Sequence, residues 1–479
     1  MFSKTRKSAA DELAEKIWAK RPILKNIIDK FGNLSLAEYY AGFAKPYKTA
    51  DDHLKREFAG AVFRISRPLF GPAAAAEIQE DVLSHYYALT ADHHGPLTHP
   101  FFLSSALLAA AGGRGQKNLL VLSTGSISLN NSSHPRGLLY HSQDKLIKLN
   151  LVSAKHHMQS VYSTPAFGER ELAGLDRETK NLPEHRELDQ LKQILQTTAI
   201  LGQKRFGSQI SLLNRQLGKM FFPEQTLPQL AYIELELVAA DLILHHHLNS
   251  GTLIHQIIFE EEQRKKFYQN FQGIPGSFDK DSGTFLFWFL PKEHPVRVGL
   301  RLENNYLISA DKKVKIELSA DKIKDALSSG ELMPNTILSL LLLSAYYGVK
   351  ALGGFNQTTY LTDAQTVYNK IFLDQPADLP EHTQTLGAEV TALYAQINGR
   401  LEPATGLDLI LYSNSASWDN FQQTSNTLTL KEALWGNLPL IYPALCPAAE
   451  RTLRLNAITS ADILQAGGFR SKIQPVVKL

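Results

Sequence analysis

The sequence predicts a mixed α/β (α+β) fold that is rich in helix, with a central mixed sheet and a helical insert. The first 90 residues place apolar side chains at helical spacing, and an apolar run typical of a buried strand follows. Helical and extended patterns then alternate over the last hundred residues, which favours an α/β architecture. We therefore divide the chain into three segments. Residues 1–165 form a helical region with an α/β core that holds the candidate site loops, and residues 166–272 form a helical segment. Residues 273–479 form an α/β region that could be continuous with the first segment.

The elements of the first segment follow from spacing and boundaries. Apolar residues recur at helical intervals from Ala9 to Phe31, and Pro72 suits the first turn of another helix. Asn118–Ser123 is short and apolar, which is typical of a buried strand. Leu138–His141 and Leu146–Val152 have a similar character and are predicted as further strands.

Fewer elements in the rest of the chain have clear boundaries. Gln229–Leu248 is predicted as one helix, because prolines precede it and a turn sequence ends it. A strand hairpin is expected around Asn304-Asn305. The apolar run 337–349 is too short for a bilayer span, which needs about 20 residues, so we predict a buried helix there. Residues 407–413 and 438–443 are predicted as strands.

Composition excludes several classes of protein. Hydrophobic residues make up 44% of the chain and charged residues 20%, which excludes a disordered or fibrous protein. The net charge of +3 gives no reason to expect a nucleic-acid partner, because phosphate backbones are bound by concentrated basic charge. Cys446 is the only cysteine, so neither an intramolecular disulfide nor a Cys-based zinc site can form. The charged N terminus lacks the apolar region of a signal peptide, and we expect a soluble, cytoplasmic protein without a membrane partner.

The most unusual cluster among the 16 histidines lies between residues 92 and 99. Neutral imidazoles and carboxylates are ligands of zinc, iron and manganese where thiolates are absent. We therefore predict that Asp92, His93 and His99 bind a divalent metal (Zn, Fe or Mn), with His94 and His134 as catalytic residues. The alternative is that these histidines and Asp92 cap helices and stabilise turns in a loop that contains glycine and proline.

The second cluster is the polar loop 124–137, which follows the predicted buried strand. Loops beyond the carboxyl ends of strands are where α/β sheets bind ligands, and backbone N–H groups in such loops can bind anions. Arg136 would add a permanently charged, bidentate clamp. The residues predicted to bind substrate are Thr124, Ser126, Ser128, Asn130, Asn131 and Arg136. The alternative is a solvated loop in which Arg136 forms a structural ion pair.

Three further features are weaker candidates. Asp241 and His245 are spaced to share a helix face with Glu234, although histidines near a helix C terminus also suit the helix dipole. The glycine-containing, aromatic stretch 273–289 could line a pocket or act as a lid, but its aromatic residues also suit a core. Asn356-Gln357 could bind a polar ligand or occupy a turn.

These observations favour an enzyme that acts on a small anionic metabolite bearing phosphate or carboxylate. In the leading hypothesis, a His/Asp metal centre beside the Ser/Asn/Arg loop performs hydrolase-like or lyase-like chemistry. A second hypothesis is a metal-independent transferase or lyase that uses a histidine as general acid or base. A third is a non-catalytic ligand-binding or assembly protein. The sequence alone does not show whether the clusters at 92–99, 124–137 and 241–245 converge.

Overall fold

The computed structural model describes residues 8–43, 51–113, 115–249, 251–292, 296–373 and 385–479. About 53% of the structure is helix and 16% is strand, distributed over several sheets. These proportions confirm the predicted mixed α/β fold. In the described part of the chain, no helix is long and apolar enough to cross a membrane.

The strands are short, and most have two to six residues. They are β1 (Tyr87–Leu89), β2 (Asn118–Ser123), β3 (Gly137–Ser142), β4 (Lys145–Asn150), β5 (Gln229–Glu234), β6 (Phe287–Phe289), β7 (Val298–Glu303), β8 (Tyr306–Ser309), β9 (Lys315–Glu317), β10 (Leu332–Pro334), β11 (Lys350–Leu352), β12 (Tyr394–Ile397), β13 (Arg400–Pro403) and β14 (Val477–Lys478).

Helices surround these strands along the whole chain. They are α1 (Ala9–Lys20), α2 (Pro22–Phe31), α3 (Leu36–Ala41), α4 (Asp52–Phe70), α5 (Pro72–His85), α6 (Pro100–Gly112), α7 (Glu169–Thr179), α8 (His185–Leu195), α9 (Thr198–Leu201), α10 (Phe206–Met220), α11 (Leu235–Leu242), α12 (Leu253–Phe259), α13 (Glu261–Phe271), α14 (Ala320–Ser328), α15 (Thr336–Leu340), α16 (Phe355–Tyr368), α17 (Gly406–Tyr412), α18 (Ser417–Thr427), α19 (Leu430–Leu445), α20 (Leu453–Asn456) and α21 (Ser460–Ala466). Helices α11, α15 and α16 continue directly into π-helical turns at Ile243–His247, Leu341–Tyr346 and Asn369–Leu373.

A parallel sheet organises the fold, with strand order β11-β1-β2-β5. Successive residues of each strand point to opposite faces, and the two faces are buried in two different cores. In β2, for example, Leu119 and Val121 belong to one core, whereas Leu120 and Leu122 belong to the other. Because both faces are covered, the strand is apolar throughout, which is the pattern that made it predictable from sequence.

The connections of this sheet create a crevice between β1 and β11. From β1 the chain proceeds to β2 and β5 on one side, and β11 then pairs on the other side of β1. Gly353, just beyond β11, pairs in parallel with Leu386, so the chain continues outward on that side. In open α/β sheets, such a reversal of strand order leaves a ligand-binding crevice at the carboxyl ends of the strands.

The structure contains three other sheets. One has five strands in the order β10-β6-β7-β8-β9 and includes the hairpin predicted around Asn304-Asn305. Strands β3 and β4 form an antiparallel pair, and a third sheet has the order β13-β12-β14. The four strands of the parallel sheet come from all three segments defined from sequence.

Three secondary-structure predictions are wrong. Gln229–Leu248 was expected to be one helix, but its first six residues form β5 and a helix begins only at Leu235. Residues 407–413 and 438–443, predicted as strands, lie mainly in α17 and in α19. A short apolar run is compatible with a buried strand and with a buried helix, because burial on all sides removes the periodicity that separates them. The run 337–349 begins as the expected buried helix.

Candidate functional site

A cleft with two lobes lies at the carboxyl edge of the parallel sheet. We call them the Arg297 lobe, a cavity of about 480 Å³, and the Glu389 lobe, a cavity of about 440 Å³. His93, Thr124 and Tyr360 contribute to the walls of both, so the lobes meet at these three residues. The cleft therefore occupies the position at which the strand order predicts a ligand site.

The loops after β1 and β2 form one continuous surface in this cleft. The Thr124 N–H donates to the carbonyl of Asp92 at 2.8 Å, and the His94 N–H donates to the carbonyl of Thr124 at 3.0 Å. These bonds extend the pairing of the two strands past their ends. Gly95 also lies against Pro135 so closely that a Cβ atom on Gly95 would be 2.6 Å from the Pro135 Cα. The clusters at 92–99 and 124–137 therefore converge.

His93 is the histidine whose hydrogen bonds leave one ring nitrogen for the cleft. Its Nδ1 lies 2.9 Å from the Ser133 Oγ. The Ser133 N–H and Oγ–H both donate to the Asn131 Oδ1, each at 3.0 Å. When that hydroxyl donates its single hydrogen to Asn131, it accepts from His93, and this arrangement places the proton on Nδ1. Nε2 then has a lone pair, and no described residue donates to it.

The surroundings of His93 keep the ring neutral and fixed. Burial lowers the pKa of His93 to about 4. Its ring packs edge-on against Phe102, with centroids 5.3 Å apart, and its carbonyl accepts from the Tyr232 hydroxyl at 3.1 Å. A neutral imidazole with a defined tautomer and a lone pair facing a cavity can act as a general base.

His94, which was predicted to be catalytic, is a structural residue. It is fully buried, its Nδ1 lies 2.6 Å from the Ser123 Oγ, and its Nε2 lies 2.8 Å from the Gly207 carbonyl. Both ring nitrogens are therefore occupied by protein groups, and the ring lines neither lobe. These bonds tie the end of β2 to the first turn of α10.

His99 and His134 lie near His93 but differ from it in their contacts. His99 lines the Glu389 lobe and packs against Phe102, and its buried Nδ1 has no described hydrogen-bond partner. His134, also predicted to be catalytic, is buried with positive φ and lines neither lobe. Burial lowers the pKa of His99 to about 3 and that of His134 to about 4. At neutral pH both imidazoles are uncharged.

Asp92 lies at the base of the cleft and is fully buried. Neither carboxyl oxygen has a described partner within strict hydrogen-bond geometry, although the Tyr232 hydroxyl lies close enough to lower its pKa, and no described cation forms an ion pair with it. Burial raises its pKa to about 8, and the charge of Glu389 contributes to that rise. With no cation bound beside it, the carboxyl group is therefore mainly protonated at neutral pH.

The predicted metal centre at Asp92, His93 and His99 has no support in this geometry. Among the described residues, no group of three or more His, Cys, Asp or Glu side chains is arranged to hold a metal ion. His93 directs Nδ1 to Ser133, and His99 stacks on phenylalanine. The three residues are close in sequence, but their side chains make different contacts.

The backbone of the 124–137 loop does bind an anion, but that anion belongs to the protein. The Gly125 and Ser126 N–H groups donate to the two carboxylate oxygens of Glu236 at 2.9 and 2.8 Å. Glu236 is fully buried at the start of α11. The sequence thus predicted an anion-binding backbone, whereas the structure shows that these two N–H groups are already occupied.

The predicted substrate-binding residues divide into two groups. Thr124, Ser126 and Asn131 line the cleft. The others do not: the Ser128 hydroxyl donates to the His157 carbonyl, whereas Asn130 is exposed. Arg136 also lies outside the lining of both lobes, so the predicted clamp is misplaced.

The third cluster does not join the cleft. Asp241 forms a bidentate ion pair with Arg64 on α4, with an Nη2–Oδ2 distance of 2.6 Å. His245 lies beside Asp241 on the adjacent π-helical turn, and its Nδ1 is 2.8 Å from the Asp241 carbonyl. Glu234 pairs instead with Arg205 at 2.7 Å. These residues hold helices together, and none of them lines either lobe.

Four residues of the cleft were not singled out from sequence as site residues. Arg297 and Trp288 line one lobe, with the guanidinium carbon 4.1 Å from a ring centroid of the indole. No described acceptor bonds to Arg297, although the Glu236 carboxyl group is close enough to favour its charged form. Glu389 lines the other lobe, and Tyr360 lines both. The aromatic stretch 273–289 was the one local signal, since it was considered as a pocket wall.

Comparison of the chain with known protein families and with curated proteins finds no match. The function must therefore be inferred from the cleft itself.

Proposed function

We propose that this protein is a metal-independent enzyme of the transferase or lyase type that acts on a small anionic metabolite. His93 is the general acid and base, and Arg297 binds the anionic group of the substrate. The observation that supports this most directly is the hydrogen-bond chain from His93 through Ser133 to Asn131, because it leaves the His93 Nε2 unprotonated at the meeting point of the lobes.

The Arg297 lobe has the chemistry to hold a phosphate or carboxylate. Arg297 is stacked on Trp288, and the hydroxyl groups of Ser126 and Thr336 lie in the same lobe, 3.5 Å apart. A guanidinium group that donates to no described acceptor, together with hydroxyl donors, recognises an anion through charge-assisted hydrogen bonds.

The bound anion would also activate the base. A pKa of about 4 makes the free His93 imidazole a weak base. An anionic substrate in the adjoining lobe favours the imidazolium form and raises this pKa toward neutrality. In the reaction, Nε2 takes a proton from a substrate group at the junction of the lobes and returns it to the leaving group or product.

The test is a comparison of the wild-type protein with His93→Gln and Arg297→Gln. Each variant is incubated with a fractionated mixture of phosphorylated and carboxylated metabolites, and consumption is followed by mass spectrometry with and without a chelator. We expect chelator-insensitive turnover that is lost in both variants, with anion binding retained only in His93→Gln.

Two outcomes would contradict the proposal. Turnover that disappears with chelator and returns with a divalent metal would support the metal enzyme instead. Binding of an anion through Arg297, with no turnover by the wild-type protein, would support a non-catalytic binding protein. Arg136→Gln is the matched control, because it removes a guanidinium group from outside the cleft.

A further inference from the structure

We infer that the Glu389 lobe binds an ammonium group, so that the substrate carries an amine at one end and an anion at the other. This inference rests on the proposed function for the anionic end. It adds the substrate class, a zwitterionic metabolite that spans both lobes, with its central atoms beside His93.

The carboxyl group of Glu389 lines the lobe, and only one of its two oxygens accepts a described hydrogen bond. Its Oε2 accepts from the Phe355 N–H, at the start of α16, at 2.9 Å. The residue is 9% exposed and lines the cavity. No described Lys, Arg or His forms an ion pair with it, although a buried carboxylate is normally paired with a cation.

The other groups in this lobe also favour a cation. Phe101, Phe102 and Tyr360 contribute aromatic walls, and aromatic faces attract ammonium groups. Arg21 donates to the Asn356 Oδ1 at 3.0 Å but is not part of the lining, which includes no Lys or Arg. Among the described residues, the Glu389 lobe therefore has no permanently charged counter-ion.

The charges of the two lobes are complementary to a zwitterion. Among the residues that the structure describes, Arg297 in one lobe donates to no acceptor and Glu389 in the other lobe forms no ion pair. Burial raises the pKa of Glu389 to about 7, and an ammonium ligand would lower it by favouring the carboxylate. A ligand with two anionic groups would place one of them beside Glu389, and a ligand with two ammonium groups would place one beside Arg297. Each arrangement brings like charges together, which is unfavourable.

The experiment measures binding by calorimetry at pH 8 with unbranched ω-amino acids, from β-alanine to 6-aminohexanoate, and with glutarate and 1,5-diaminopentane as matched probes. We expect one amino-acid length to bind at least tenfold more tightly than the diacid and the diamine. Glu389→Gln should remove this preference, because glutamine still accepts from Phe355 but has no charge. Glu389→Asp should restore part of it, and Glu80→Gln, on an exposed face of α5, should change nothing.

The possible failures are distinguishable. If glutarate and the amino acids bind equally well and Glu389→Gln has no effect, the amine site is refuted, although anion binding by Arg297 stands. If diaminopentane binds through Glu389 and Arg297→Gln changes no affinity, the amine site stands and the proposed anionic substrate is wrong. If none of the probes binds at about 10 mM, a range in which even weak sites are detected, the inference is overturned.

Discussion

The substitution Asp92→Asn should make the protein less sensitive to alkaline pH. Asp92 is fully buried, and burial raises its pKa from 3.8 to about 8 even though the Tyr232 hydroxyl acts in the opposite direction. Between these two values the folded protein keeps the proton that the unfolded chain has lost. The free energy of unfolding therefore falls as pH rises through this window.

The size of this change in the free energy of unfolding follows from the pKa shift of Asp92. Each pKa unit corresponds to about 1.4 kcal/mol of differential stability, so ionisation of Asp92 lowers the free energy of unfolding by about 3–4 kcal/mol between about pH 5 and pH 8. Asparagine cannot ionise, and its own burial cost does not depend on pH. The difference in stability, Asp92→Asn minus wild type, should therefore rise by this amount over the same range.

The assay is urea denaturation of both proteins at half-unit pH intervals. Taking the difference cancels the titration of the buried histidines, which is common to both proteins. Asp144→Asn, at an exposed position between β3 and β4, is the control and should give a flat difference. A flat difference for Asp92→Asn would refute the reasoning. An Asp92 held ionised by a bound cation, as the metal hypothesis requires, would also give a flat difference over this range, because its pKa would then lie below 3.8 in the folded protein.

Three further predictions separate structural residues from those of the cleft. His94→Ala should lower the free energy of unfolding by about 3 kcal/mol in urea denaturation, since it removes two buried hydrogen bonds and leaves a cavity, but should not alter anion affinity. Glu236→Ala leaves two buried N–H groups without an acceptor and should cost about 2–4 kcal/mol by the same measurement; a change below about 0.5 kcal/mol would show that water replaces the carboxylate. For the proposed base, kcat/KM should be lost as pH falls through about 4, because His93 must be neutral. An acid limb that is unchanged in Ser133→Ala would contradict the role of Ser133 in orienting the ring.

The sequence was informative where a single residue or a short segment determines the local structure. Asn118–Ser123 could be assigned as a buried strand because both faces are covered, and its following loop could be predicted to lie at a ligand-binding edge. It could also be predicted that the backbone there binds an anion. The identity of that anion, Glu236, depends on how α11 meets β2, which no local pattern contains.

The predicted metal centre grouped residues that are neighbours in sequence, whereas their side chains make separate contacts in the structure. His93 and His94 are adjacent, yet their rings make unrelated contacts, one with Ser133 at the cleft and one with Gly207 in the core. Similarly, Arg297 and Glu389 are distant in sequence, and only the tertiary fold makes them parts of one cleft. Spacing along the chain could not reveal either relationship.

The most direct test of the proposed chemistry is the protonation state of His93. Nitrogen NMR of protein labelled with ¹⁵N-histidine, with the His93 signals assigned by their loss in His93→Gln, distinguishes the two ring nitrogens. We expect the neutral tautomer with the proton on Nδ1 and an unprotonated Nε2 at pH 7, shifting toward the imidazolium when an anionic ligand binds. A proton on Nε2 at pH 7 without ligand, in either the other neutral tautomer or the imidazolium, would contradict the assignment of His93 as the general base.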